Sequence, residues 1–232
     1  MILSSHQSSF FPWIGYWAKI EQSDEHVVSR NVEFNPRNYQ NRVEVYGSLR
    51  TLPVLKPDVN RPYICEVKYD RANAKKLIEG LKKELLGKKC KNPEAVEALL
   101  MAAYAWNTGR LLDLNMGVLE AGRRLFDIRT MIGRDLQDGA FLTKTGRLIA
   151  RLDLRAYVGP VTYLAGSGQR AYLDEKELPD NVSVVYQVLP KGLPSCSILE
   201  LLHRMEMSEI VQIIAQIKET TGADRVTIPP LR

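Results

Sequence analysis

The spacing of apolar residues changes period several times along this chain, and each change predicts an element. Residues 2–5 form a short apolar run suited to a strand, and Pro12-Trp13 breaks the chain ahead of residues 14–22. There Ile14, Trp17, Ala18 and Ile20 share a helical face, and Pro12 is tolerated at the first turn because its missing N–H would be unpaired anyway. Residues 25–29 read as a second strand. Residues 42–54 alternate valines with polar residues, which predicts a hairpin turning at Gly47-Ser48.

The middle of the chain switches to helical spacing. Over residues 71–87, Leu77, Ile78, Leu81, Leu85 and Leu86 form one stripe with lysines opposite, and Gly87 can close the helix. Asn92-Pro93 predicts the next helix start, with Asn as cap and Pro in the first position, and that helix should run to about Asn107. A further helix is expected over about 115–124, then a strand over 125–132. Residues 145–157 resume helical spacing through Leu148, Ile149, Leu152 and Leu154.

Alternation returns in the last third. Residues 160–165 predict a strand ending on Gly166-Ser167-Gly168, followed by a short helix near 172–178 and a strand over 182–186. Ser197-Ile198-Leu199-Glu200 is a capping box for the next helix, and Ser208 is the expected cap of the last one, to Thr220. Strands and helices in alternation, without repeat or linker, predict a single α/β domain. Its mixed sheet should be flanked by helices, with a helical insertion at about 70–125.

Composition narrows the class. With 232 residues, 45% hydrophobic and 25% charged, the chain can bury a full core without staples. Cys65, Cys90 and Cys196 are odd in number and scattered, which argues against a disulfide framework or a zinc site. No apolar run reaches bilayer length and the opening residues lack signal-peptide features, so no membrane partner and a cytoplasmic location are expected.

Charge adds a candidate interface. The net charge is +5, yet between Lys68 and Lys91 nine basic residues face three acidic ones, a local surplus larger than that of the whole chain. A concentrated basic element suits a polyanion, and equally a solvated helix face.

Three segments could carry chemistry. His6-Gln7 ends the first strand, where open α/β sheets present residues to a ligand crevice, and a His there can serve as general base. A lone His more often caps a loop, but this one adjoins a loop of Ser, Phe, Pro and Trp. Between Asn35 and Arg42, two arginines, carboxamides and a Tyr form a reasonable clamp for an anion, or a polar turn before the hairpin. Gly166-Ser167-Gly168 with Arg170 could cradle a phosphate, although an ordinary strand–helix turn is the blander reading. Asp174 could bind an amine or cap a helix. Trp13 and Tyr16 could stack on a base, whereas Trp17 is assigned to the core.

Together these segments resemble the WbqC-like family. Its opening H-Q-P-x-Y-F-P-W-L-G-Y-F segment is matched by His6-Gln7-Ser8-Ser9-Phe10-Phe11-Pro12-Trp13-Ile14-Gly15-Tyr16-Trp17. Its K-R-x-W-x-N-R-N-x-I pattern is similar to residues 36–43, and its Y-L-S-G-x-x-G-x-x-Y-L-D-E pattern and L-S-I-L-D-L-L sequel match residues 163–175 and 196–202. Ser8 stands where the pattern has Pro, and Pro36-Arg37 where it has Lys-Arg.

The resemblance implies a transferase of one of two kinds. One attaches glycine to an amino sugar in surface-polysaccharide synthesis. The other, among bacteriophage amino acid:DNA transferases of thymidine hypermodification, replaces the pyrophosphate of 5-pyrophosphomethyl-uracil in DNA with the amine of glycine. The basic helix favours DNA, which would place the protein in the cytoplasm of an infected bacterium. A non-enzymatic DNA-binding module is the third alternative, and it leaves His6 and Arg37 to Arg42 unexplained.

On the DNA reading the base is flipped out, and Lys75, Lys76, Lys82, Lys83, Lys88 and Lys89 hold the backbone. His6 acts as base, and Arg37 and Arg42 grip glycine's carboxylate or the departing pyrophosphate. Gly166, Ser167, Gly168 and Arg170 take the other group, and Gln7, Trp13, Tyr16, Asn41 and Asp174 complete the substrate contacts. The reaction requires no redox cofactor, and a divalent metal could assist the leaving pyrophosphate, although the sequence shows no clear carboxylate cluster to hold one.

Overall fold

The structure is a computed structural model that describes residues 1–87, 89–105, 108–134, 145–146, 148–149, 152 and 159–224. Five strands, β1 (Ile2–Gln7), β2 (Glu25–Ser29), β5 (Met131–Arg134), β6 (Val161–Ala165) and β7 (Val182–Tyr186), form one sheet in the order β5-β2-β1-β6-β7. Every pairing in it is parallel. A separate antiparallel ribbon pairs β3 (Arg42–Val45) with β4 (Ser48–Thr51). The α/β class is as expected, with the two strand directions segregated into two sheets.

The chain leaves β1 for β2 and β5 on one side, then returns to β6 and β7 on the other. Order therefore reverses between β1 and β6, and in parallel α/β sheets the crevice at the carboxyl ends of such strands is where ligands bind. His6-Gln7 ends β1, and Gly166-Ser167-Gly168 follows β6. Two motifs about 160 residues apart in sequence thus meet at one sheet edge.

Helices α1 (Ile14–Glu21), α2 (Arg71–Leu85), α3 (Pro93–Ala105), α4 (Leu111–Leu125), α5 (Ile198–Arg204) and α6 (Met207–Asp224) complete the described elements. The main core joins these helices to the β3–β4 ribbon and includes Phe10, Trp17, Leu81, Leu99, Leu119 and Ile214. Leu3, Val27 and Tyr163 form a smaller core with Leu148 and Leu152. Alternation along the strands divides the faces, since Val27 joins the smaller core and Val28 the main one.

Several boundaries differ from expectation for local reasons. The hairpin turns at Tyr46-Gly47 instead of Gly47-Ser48, because both residues are left-handed (φ 51° and 70°) as a two-residue I′ turn requires. The Tyr46 N–H donates to Glu200 Oε2 at 2.8 Å. Helix α4 begins at Leu111, four residues early, where Thr108 Oγ1 accepts from the Arg110 N–H and donates to Asp113 Oδ2.

The strand expected over 125–132 is β5 at Met131–Arg134, because α4 continues through Leu125. That helix stops in a Schellman arrangement with Asp127 left-handed, the Ile128 N–H donating to Arg123 O at 2.9 Å and the Asp127 N–H to Arg124 O at 3.2 Å. A glycine usually marks this stop, and none stands here.

The short helix expected near 172–178 is replaced by two 3-10 turns, Ser167–Ala171 and Glu175–Glu177. Helix α6 starts at Met207, so Ser208 lies inside it, and Glu209 Oε2 accepts from the Glu206 N–H at 2.8 Å. Thr145, Gly146, Leu148, Ile149 and Leu152 are helical, while Leu154, Asn107 and Lys88 lie outside the described residues.

Candidate functional site

β1 is unusual for a central strand in being mostly polar after Leu3, and its side chains are buried in specific pairs. Ser4 Oγ bonds His26 Nδ1 at 2.7 Å and accepts from Ser23 Oγ at 2.7 Å. His26 Nε2 lies 3.3 Å from the Tyr16 hydroxyl, which donates to Gln7 O at 3.2 Å. On the opposite face Ser5 Oγ bonds the Tyr163 hydroxyl at 2.9 Å, which accepts from Gln169 Nε2 at 3.1 Å. Buried polar groups persist only when satisfied in this way. His26 is fully buried, and desolvation, then the charges of Lys19 and His6, lower its pKa well below the ordinary value.

His6 stands at the end of this network. Its Nδ1 is 2.9 Å from Gln7 O. A carbonyl can only accept, so Nδ1 carries the proton in the neutral ring and Nε2 keeps its lone pair. The ring is open to the crevice, yet the protein around it, and then Lys19, press its pKa down to about 4. Tyr16 meets the ring edge-on at 4.8 Å between centroids, and its own burial raises the phenol pKa far above the usual range.

Two cavities share His6 and Gln7 as a common wall. The smaller, about 280 Å³, is lined chiefly by aromatic groups, Phe11, Trp13, Tyr16 and Tyr39, with Glu44 and Ser197. The larger, about 690 Å³, is more polar and includes Ser5, Glu33, Tyr163, Gly166, Gly168 and Gln169. Gln40 Nε2 donates to Gln7 Oε1 at 3.2 Å, which orients the Gln7 amide between the two.

The loop shaping the smaller cavity is strained. Phe11 has φ 49° immediately before a proline, a position where an aromatic residue costs roughly 1–3 kcal/mol. Burial of Phe10 and Phe11, and the bonds of Phe10 N and Ser9 Oγ to Tyr39 O, hold it there. Trp13 folds its indole over Gly15, where an added Cβ would lie 2.5 Å from the ring. Trp17 is in the core, its Nε1 donating to Pro12 O at 3.1 Å.

The structure thus gathers His6, Gln7, Trp13, Tyr16, Gly166 and Gly168. Arg37, Asn41, Arg42, Ser167, Arg170 and Asp174 line neither cavity. Arg37 is exposed and closes a turn on Asn35 Oδ1, and Asn41 Nδ2 donates to Leu52 O at 2.9 Å. Arg170 stacks on Tyr186 at 4.2 Å, and Asp174 caps the second 3-10 turn by accepting from the Lys176 N–H at 3.1 Å.

Sequence reasoning missed Lys19 and His26, and took Tyr163 only as part of the motif running from 163 to 175. Lys19 belongs to an apolar helix in which residues 14–20 are all buried, and His26 to an apolar strand. A charged residue inside an apolar run was the available signal. Lys19 Nζ donates to Ser5 O at 3.0 Å, has no acidic partner among the described residues, and is pushed down to about 7 by desolvation.

The basic helix α2 packs Ala74, Ile78, Leu81 and Leu85 inward and leaves its lysines outside. None of them lines either cavity. Lys82 pairs with Glu97, Lys75 with Glu79 at 3.9 Å, and Lys76 Nζ donates to Asn73 Oδ1 at 3.3 Å. Lys83 and Lys89 form no ion pair among the described residues. Among those residues no three His, Cys, Asp or Glu side chains gather in a metal-holding group, and no helix is long and apolar enough to cross a membrane.

Fold and site define a parallel α/β protein with a two-chambered crevice at its topological switch point. The family model of the WbqC-like protein family matches residues 7–191, and the chain belongs to that family. No curated protein and no solved structure matches it significantly.

Proposed function

We propose that this protein is a transferase that joins the amine of glycine to 5-pyrophosphomethyl-uracil in DNA, with loss of pyrophosphate. The observation that carries the reading is the position of His6, an imidazole with a free Nε2 on the wall shared by two unlike cavities. A reaction between two bound substrates needs such a group between them. The aromatic chamber suits a flipped base, stacked near Trp13 and Tyr16.

In the transfer, the amine nitrogen attacks the 5-methylene carbon of the uracil. The new C–N bond forms as the C–O bond to pyrophosphate breaks, and the electron pair leaves with pyrophosphate. His6 Nε2 takes the proton released by nitrogen. Its depressed pKa keeps it unprotonated at neutral pH and makes it a weak base, so it takes the proton only as the new C–N bond renders the nitrogen acidic. Gln7, oriented by Gln40, offers its amide to either substrate. The lysines of α2 supply a backbone-binding face for DNA.

Transfer of glycine to an amino sugar is the second reading. It is favoured by the absence of α2 residues from the lining of either cavity and by the partners that Lys75 and Lys82 already have. One experiment separates the two. The protein is incubated with pyrophosphomethyl-uracil DNA and labelled glycine, and the DNA is digested to nucleosides. An N-linked glycine adduct on the 5-methylene is the expected product. No adduct, with label passing to a nucleotide amino sugar instead, would refute the DNA acceptor.

A further inference from the structure

Lys19 is nearly buried, yet its ammonium makes one hydrogen bond and no ion pair among the described residues. Burying an amine in this way is costly unless something else compensates. Two residues beside it, Ser5 and Gly166, line the larger cavity. Its one acceptor is the carbonyl of Ser5, and a Cβ built on Gly166 would lie 3.8 Å from Nζ. Gly166 itself has φ −73° and ψ 150°, a conformation open to any residue, and no neighbour would clash with a methyl there. Neither backbone nor packing requires glycine. What its missing side chain leaves is open space between the cavity and the Lys19 ammonium.

We infer that Lys19, reached past Gly166, holds the carboxylate of the amino-acid substrate in the larger cavity, which leaves the aromatic chamber to the acceptor. The inference rests on the transferase reading above and assigns its two substrates to the two chambers. Charge selects carboxylate over pyrophosphate. No Lys or Arg, Lys19 included, lines the larger cavity among the described residues. The Lys19 ammonium stands behind Gly166, and Arg61 is held by Glu33 at 3.6 Å. Glu33 lines the same cavity. Its charge is offset by Arg61, and an amino acid presents an amine as well as an acid to such a lining. With the carboxylate at Lys19 and His6 on the shared wall, the amine is directed towards the other chamber.

The test is a binding measurement without DNA, by calorimetry or by NMR of labelled glycine, on the full chain. Glycine should bind the wild type, and glycinamide, which lacks the charge, about tenfold more weakly or worse. Lys19→Met should lose that preference, and Gly166→Ala should weaken glycine without altering the fold, checked by circular dichroism. Inorganic pyrophosphate should leave the glycine signal in place.

Several results would overturn the assignment: no glycine binding by the wild type, equal binding by Lys19→Met, or pyrophosphate that displaces glycine from the wild type in a Lys19-dependent way. Lys19-dependent glycine binding with no transfer to DNA would instead refute the acceptor and leave the subsite standing.

Discussion

The carbonyl of Gln7 accepts from two side chains at once, His6 Nδ1 at 2.9 Å and the Tyr16 hydroxyl at 3.2 Å. This shared acceptor holds the histidine in one tautomer while Tyr16 packs edge-on against its ring. Through Tyr16 the same acceptor is linked to His26, Ser4 and Ser23. The base is therefore positioned by the sheet interior, beneath a loop that shapes the cavity.

His6→Gln keeps polarity but removes the base, and turnover should fall roughly 10²- to 10⁴-fold. Substrate binding should change much less. A base is active only when unprotonated, and the depressed pKa means that protonation sets in near pH 4. The acid limb of kcat/KM should accordingly lie near 4 and be absent in His6→Gln. A limb near 6.5 would show that His6 is not held as described.

Tyr16→Phe removes one hydroxyl, strands the buried His26 Nε2 and leaves Gln7 O with His6 Nδ1 as its remaining donor. Leaving a buried donor unsatisfied costs about 1–3 kcal/mol, which thermal or urea unfolding would detect. His26 also sets an acid limit. Its folded pKa is depressed, so below about 6.5 the unfolded chain takes up a proton that the folded chain refuses, and stability drops as pH falls. His26→Gln should flatten that drop.

Much of this site was legible from local pattern, and the remainder depended on tertiary contacts. His6, Gln7, Trp13 and Tyr16 lie in one short segment, so the opening strand and loop located them together. Strand β2 and strand β7 fall where alternation placed them, because apolar side chains there face a packed core. Lys19 and His26 escaped notice because their roles depend on Ser5 O and Tyr16, contacts that no spacing rule reveals. The segment between Asn35 and Arg42 contributes only Tyr39 to the lining of the two cavities. A dense polar cluster suggested a clamp, yet Gln40 and Asn41 spend their amides on Gln7, Glu33 and Leu52 within the fold.

Lys19→Met should make the protein more stable and less active. The ammonium is desolvated and lacks an acidic partner, and the gap between about 7 and an ordinary lysine corresponds to roughly 4–5 kcal/mol before relaxation. The sign with pH follows from linkage. Between about 7 and 10.5 the unfolded chain holds a proton on this lysine that the folded chain has released, so wild-type stability rises with pH across that window. The advantage of Lys19→Met should be full at and below pH 7 and fade towards 10.5. Unfolding titrations of both proteins at pH 6, 8 and 10 check it, and an advantage that did not shrink with pH would contradict the assignment. Loss of the Lys19 charge also relieves His6 and His26, whose pKa values it lowers, an effect that falls below the window from 7 to 10.5.

Helix α4 touches α1 through Gly122, where an added Cβ would sit 2.2 Å from the Trp17 ring. Gly122→Ala must push α1 away or tilt the indole, at a cost of about 1–3 kcal/mol. Tyr16 and Lys19 ride on α1, so the same change should raise the KM for the amino acid and lower kcat together. Gly80→Ala, with open space around its Cβ, is the control and should leave both stability and kinetics near wild type.

The acceptor is tested on α2 and on Lys89 in the turn after it. Lys76, Lys83 and Lys89 carry no ion pair among the described residues, whereas Lys82 is engaged with Glu97. If these lysines hold DNA phosphates, each one changed to Ala should lower the slope of log Kobs against log salt by about one, uniformly across sequences. Lys82→Ala should do less, because Glu97 already neutralises it. Glycine binding in the larger cavity should be unaffected by any of them, since α2 lines neither chamber. A triple variant with an unchanged salt slope and undiminished transfer would remove α2 from the acceptor site. That result would leave the amino-sugar reading as the one consistent with a solvated basic helix.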